Sequence, residues 1–422
     1  MRTITHLSVG CFVLGLGSVA SANAFLISEH DAKAVGRGDA STATDTDPSS
    51  IAFNIGGLAV GEGTNVMIGG SMISPSATYT DPSGSKTNAE SLHAILPHFF
   101  VTSRINDMIA VGFGFHAPFG LEITWPDATP GVPNSSPNLD VVKFQSFRSY
   151  FFTPSVGANL NKFFPGLTVG AGVDLVPATV EIRQYLYFGD TQGEAHLGGN
   201  AFGIGGRIGA MYKPAALPAL SVGVMWRSQV NEDFSGKADF DIADPYRSQL
   251  PPDGDITTSV AIPQSVAVGV AYRPNPQVEI EANGLWVQWK KFNEIRIHFP
   301  TTTGPMIADQ VVPQNYGDTY TFRIGGEYKL PKLGAAFRLG YIYDPTPIPA
   351  TALTAQLPDI NRQIITGGGS FNLGNYGIHA GLLWVLPQSR ETSDTVYMPL
   401  HKGTYDVQAL VASLTLAGHF GK

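Results

Sequence analysis

From about residue 64 onward the chain alternates residue by residue, and this spacing sets the fold class. In SYFFTPSVGANL, Tyr150, Phe152, Pro154, Val156, Ala158 and Leu160 fall on one face, while Ser149, Phe151, Thr153, Ser155, Gly157 and Asn159 fall on the other. TYTFRIGGEYKL repeats the design with Tyr320, Phe322, Ile324, Tyr328 and Leu330 opposite Thr321, Arg323, Gly325, Glu327 and Lys329. A period of two with one oily face is a β-strand. Such a strand serves either a soluble sandwich or a transmembrane barrel, so count and connections must decide. Roughly fourteen such segments follow residue 64, an even number, as bacterial barrels require. Short links (104–107, 162–166, 214–219, 273–277, 331–334, 373–375) alternate with long ones (121–147, 189–199, about 235–258, 300–318, 343–362 and about 388–404). Short turns on one side of a membrane and long loops on the other produce this pattern. We therefore expect an all-β, antiparallel transmembrane barrel over residues 64–422. Trp226, Trp286, Trp289, Tyr341, Tyr343 and Trp384 are assigned to its interfacial girdles, and Leu410, Leu414, Leu416 and Phe420 to its outer face.

Composition agrees. Charged residues are 14 % of the chain and the net charge is −8, which argues against a nucleic-acid binder. The first 24 residues read as a secretory signal peptide: Arg2, an apolar middle from Leu7 to Ala20, and Ala22-Asn23-Ala24 before Phe25. Cys11, the chain's one cysteine, lies within that leader, and Ser8 stands where a lipobox needs an aliphatic residue. The long link YDPTPIPATALTAQLPDINR (343–362) is rich in proline. A closed barrel has no edge to protect, so such a loop can hold one shape over its mouth.

Residues 25–63 do not alternate. HDAKAVGRG and SSIAFNIGGLA read as short helical pieces, with Asp47-Pro48-Ser49 as a helix start. The segment is too small and polar to fold alone, but it fits inside a barrel as a plug.

At this point the chain resembles the FadL-type outer-membrane transporters of long-chain fatty acids and aromatic hydrocarbons. AVGRGDASTATDTDPSSIAFNIGGLA is similar to the family's hatch, with Asn54-Ile55-Gly56 departing from its usual Asn-Pro-Ala. GFGFHAPFGLEITW (112–125) looks like its third-strand region, LWVQWKKFNEIRIHF (285–299) like its tryptophan-rich strand, and the 343–362 loop like its most specific loop. The resemblance implies fourteen strands, a hatch that blocks straight-through flow, and lateral exit at a distorted third strand. Its partners are then hydrophobic small molecules (fatty acids or aromatic hydrocarbons), outer-membrane lipid and lipopolysaccharide. We expect a monomer in the bacterial outer membrane, with no nucleic acid, metal or cofactor.

The residues themselves offer candidates. Gly112, Gly114, Pro118, Phe119 and Gly120 mark strand distortion, because proline cannot donate to a ladder and glycine loosens it. Arg207, Arg323 and Arg338 have lumen-facing parity and suit a ligand carboxylate. The competing reading pairs them with Asp39, Asp45 or Asp47. The nominal G-x-G-x-x-A at Gly112, Gly114 and Ala117 precedes no helix and reads as strand packing. Uptake of hydrophobic solutes is the expected function, not an enzyme's. The alternative is a general diffusion porin. A barrel phospholipase would need a Ser/His pair with an orienting partner, and no local signal names one.

Overall fold

The computed structural model describes residues 23–126, 143–188, 191–244, 246–300, 309–396 and 401–421. The leader with Cys11, and parts of three long links (127–142, 301–308 and 397–400), lie outside the described residues.

Among the described residues fourteen antiparallel strands close on themselves. They are β1 (Thr64–Thr80), β2 (Ala94–Arg104), β3 (Ile109–Thr124), β4 (Phe144–Asn159), β5 (Leu167–Phe188) and β6 (Thr191–Tyr212). β7 runs in two pieces (Leu220–Arg227 and Val230–Asp241), as do β8 (Gly254–Ile262 and Ser265–Asn275), β9 (Val278–Val287 and Glu294–His298) and β10 (Gln310–Pro313 and Thr319–Leu330). β11 (Ala335–Asp344), β12 (Arg362–Leu373), β13 (Tyr376–Glu391) and β14 (Thr404–Phe420) complete the set. β14 pairs with β1 from Thr64↔Phe420 to Thr80↔Thr404, so no edge is left at the seam. The alternation is realised in space: Leu410, Leu414, Leu416 and Phe420 are about half exposed on the outer face, while Tyr405, Val407 and Val411 are buried. In the tight turn between β12 and β13, Gly374 adopts a φ of 58°, which a side chain would oppose.

Two expectations need correction. The link 189–199 is mostly strand, because β5 and β6 pair out to Phe188↔Thr191. Its alternation is masked in sequence by the polar outer residues Glu181, Arg183 and His196, as expected of a barrel wall that continues beyond the apolar membrane. Trp289 is no girdle residue: it lies in a 3₁₀ turn (Trp289–Lys291) and is fully buried.

The segment before β1 forms α1 (Ala32–Gly36), α2 (Ser50–Phe53) and a 3₁₀ turn (Ile55–Ala59). The Asp31 carboxylate caps α1 by accepting from the Ala34 N–H. The segment's backbone lies directly on inner-wall glycines. A Cβ at Gly170 would sit 2.2 Å from the Ile55 carbonyl oxygen, and one at Gly325 would sit 1.9 Å from that of Arg37.

Candidate functional site

β2 and β3 pair from Arg104↔Ala110 only as far as Phe99↔Phe115. One step on, the β3–β4 register shifts between His116 and Phe119. Pro118 lies inside that shift and has no N–H to donate. The N-terminal segment takes up the loosened backbone: Ile27 N donates to the Pro118 carbonyl at 2.8 Å, and Gly120 N donates to that of Phe25 at 3.1 Å. Beyond the break, β2 still pairs with β1 but has no partner on its other side. A recess of about 1050 Å³ opens there, lined by Ile73, Ile95, Leu96, Ile27, Phe119 and Phe147. Arg148 and Glu122, paired at 2.6 Å, line it too.

Gly120 lines this recess, but Gly112 and Gly114 do not. They lie where the β2–β3 ladder is intact, opposite Thr102 and Phe100. Their missing side chains make room for Ile51 and Leu58 of the N-terminal segment. Asn54 is likewise distant from the break: its amide donates to the carbonyls of Thr42 (2.6 Å) and of Ala210 on β6 (3.0 Å), and its side-chain oxygen accepts from Gly56 N. Ile55 packs over Gly172 and Gly56 lies on Ala210, so Asn54-Ile55-Gly56 is seated on β5 and β6. The stretch that meets the break is Phe25–Ile27, whose sequence carries no turn or strand signal.

Phe25 sits in an aromatic cage. Its ring meets Phe119, Phe147, Trp289 and Phe292 edge-on at centroid distances of 5.9, 5.4, 4.8 and 5.4 Å. Such edge-to-face pairs add about 0.5–1.5 kcal/mol each beyond simple burial. A second cavity, with about 580 Å³ of empty space, lies behind Leu26 and Ile27 and is lined by Phe53, Arg207, Arg227 and Arg323. Ile27 lines both spaces, so one side chain stands between the interior cavity and the lateral recess. A third, almost wholly apolar chamber of about 470 Å³ is bounded by Val180, Phe234, Ile256, Val260 and Ile297.

The three arginines chosen from sequence are not brought together, and their carboxylate partners are wall residues. Arg207 grips Asp174 at 2.7–3.1 Å and donates to the Ile51 carbonyl at 2.7 Å. Arg338 pairs with Glu327 and faces a separate polar cavity. Arg323 donates to Ser28 Oγ at 2.7 Å and reaches the Asp39 carbonyl, not its carboxylate, at 3.5 Å. Asp47 pairs instead with Lys33, and Asp45 accepts from Ser49 at 3.0 Å. The charged clasp runs in the opposite sense: Arg37 of the N-terminal segment reaches the wall carboxylates Glu279 (2.8 Å) and Glu281 (3.8 Å). Sequence reasoning missed Arg227. Its guanidinium lies 4.6 Å from the centre of the Phe119 ring and makes no ion pair among the described residues. Its parity matches that of Arg207, its register partner on β6, which is the signal that would have found it.

His30 borders the same cavity, its ring 4.8 Å from that of His116. Burial, with His98, Arg227 and Arg207 nearby, holds the His30 imidazole well below its usual pKa. A group kept neutral in place stabilises the docked segment above its free pKa of about 6.5, and that stabilisation is lost as pH falls. Lowering pH from 6.5 to 5 should therefore weaken the segment's seating by about 2 kcal/mol. Quenching of the buried Trp289 measures this. A signal that is flat over that range, or a slope unchanged in His30→Gln, would exclude His30 as its source.

A closed fourteen-stranded barrel with an oily exterior, a packed interior and a side recess defines an outer-membrane transport barrel. Residues 13–420 match the family model described as outer membrane protein transport protein (OMPP1/FadL/TodX), and the chain belongs to that family. It is 21 % identical over 349 residues to the long-chain fatty acid transport protein of Escherichia coli K12, covering 75 % of this chain and 77 % of that one. The fold is similar to the crystal structure of a Pseudomonas aeruginosa FadL homologue (TM-score 0.78, 18 % identity, 95 % of this chain and 100 % of that one). It is also similar to the Ralstonia pickettii toluene transporter TbuX (TM-score 0.71, 20 % identity, 93 % and 98 %). Membership and fold together locate the protein in the bacterial outer membrane.

Proposed function

We propose that the protein carries hydrophobic solutes passively across the outer membrane and releases them sideways, with residues 25–63 acting as a hatch that bars straight-through flow. The observation that carries this reading is the β2–β3 ladder ending at Phe99↔Phe115 beside a recess that only Ile27 separates from an interior cavity. The apolar chamber around Phe234 suits first capture of solute. Onward movement requires Phe25 and Ile27 to swing from their seats. Release into the membrane core then recovers about 25 cal/mol for each Å² of apolar surface, so no energy source is required.

Relatives named for long-chain fatty acids and for toluene share this apolar demand, and a cation distinguishes them. Arg227, unpaired beside the cavity, is our candidate for a carboxylate contact. Arg227→Gln should weaken fatty-acid binding by about 1.5–3 kcal/mol, roughly ten- to a hundredfold, and leave a neutral aromatic unaffected. Equal affinity of parent and variant for a fatty acid would remove Arg227 from the site.

Expression in an uptake-deficient bacterium tests the whole reading. Growth on a hydrophobic carbon source should return without a rise in small-sugar permeability. Large, steady ion conductance from the purified barrel would favour the porin instead.

A further inference from the structure

The described chain begins two residues before Phe25, and those two residues are not spare. Asn23 is 2 % exposed and Ala24 is fully buried. The Asn23 amide donates to Thr321 Oγ1 (3.1 Å) and Asp344 Oδ1 (3.3 Å), and its side-chain oxygen accepts from Thr319 Oγ1 (2.5 Å) and from Trp289 Nε1. Ala24 N donates to Asp359 Oδ2 at 3.3 Å. Removing both residues would orphan buried polar groups on β10, β11 and the 3₁₀ turn at Trp289. A second small-x-small site lies two residues upstream, at Ala20-Ser21-Ala22.

The surroundings are also short of positive charge. Asn23, Glu29, Asp39, Asp344, Arg323 and Arg362 line one cavity of about 470 Å³. Asp359 adjoins it, 3.6 Å from Arg362. Four carboxylates thus face two guanidiniums. Both carboxylate oxygens of Asp39, itself 0 % exposed, lack a hydrogen-bond partner among the described residues. Burial lifts Asp359 to about 6, despite Arg362 and the Thr346 hydroxyl.

We infer that the leader is cut between Ala22 and Asn23, and that the α-ammonium so created supplies the missing cation to the Asp344–Asp359–Asp39 cluster. A leader peptidase hydrolyses the peptide bond: water adds, the released leader keeps a carboxylate on Ala22, and the new amine of Asn23 takes up a proton. Maturation and the seating of Phe25 are then one event, because the ammonium is anchored two residues before the aromatic cage.

Protein purified from outer membranes should begin at Asn23 by N-terminal sequencing and intact mass. In the folded barrel its α-amine should react with an isothiocyanate at pH 7 at least tenfold more slowly than after heat unfolding in SDS. Asp359→Asn should raise the folded rate severalfold, whereas Asp359→Glu should keep it slow. Both variants are scored only if they retain the parental heat-shifted mobility in SDS, and Asp344→Asn serves if Asp359→Asn does not. A chain beginning at Phe25 overturns the cleavage assignment. A folded amine that labels at the unfolded rate, or labelling indifferent to the carboxylates, overturns the ammonium contact.

Discussion

Gly120→Trp should abolish uptake of hydrophobic solutes while leaving the barrel folded. A Cβ at Gly120 would stand 3.2 Å from Ile27 Cδ1, on the wall of the recess. An indole there fills the space without entering a paired stretch of the β2–β3 ladder. Gly114→Trp should behave differently, because its side chain would strike Ile51 and Phe100 and unseat the hatch. Uptake of a radiolabelled fatty acid or of toluene into cells, with heat-shifted mobility in SDS as the fold check, separates the two. We expect at least a tenfold loss for folded Gly120→Trp. Parental uptake by that variant would mean that solute leaves through the periplasmic end.

Arg37→Met should open the barrel. Arg37 is buried against Glu279 and Glu281, and burial of its own charge is offset chiefly by those carboxylates. Removing one partner of a buried pair costs about 3–5 kcal/mol, because the remaining charge is stranded. Glu279 retains Arg273, whereas Glu281 keeps only the Ala43 N–H (2.8 Å) and the Thr44 hydroxyl (2.6 Å). A loss of that size is enough to release the hatch from this side of the wall. Planar-bilayer recordings of the variant should then show steady conductance absent from the parent. Replacing Glu279 and Glu281 by Gln together with Arg37→Met should restore the closed state. A silent Arg37→Met would show that the wall glycines and Asn54 suffice to hold the hatch.

The barrel was legible because its signal repeats: each spanning strand must alternate, and each turn must end it. The family was legible because four separated stretches keep one order. The interior was harder to read, for physical reasons. Asn54 announces a cap and a wall contact but not which strand it meets, since that depends on how the segment folds back over β6. Gly112 and Gly114 are chemically equivalent to Gly120 in a strand, and the end of the ladder alone tells them apart. Ion pairs are a matter of reach across the lumen, so Arg207 finds Asp174 on the neighbouring strand although nearby residues in the hatch are acidic.

The seam between β1 and β14 constrains how the molecule is assembled. β1 directly follows the hatch, and β14 is the last strand of the chain. The ring therefore cannot shut until the final strand arrives, by which time the hatch has long been available to lie along the growing sheet. Carbonyls such as that of Arg37 rest so near the wall glycines that the hatch can serve as a former around which the sheet curls. A barrel closed without it would be difficult to fill afterwards, because the folded segment would have to thread a ring already shut. The hatch should accordingly fail to rescue a hatchless barrel when the two are made as separate chains.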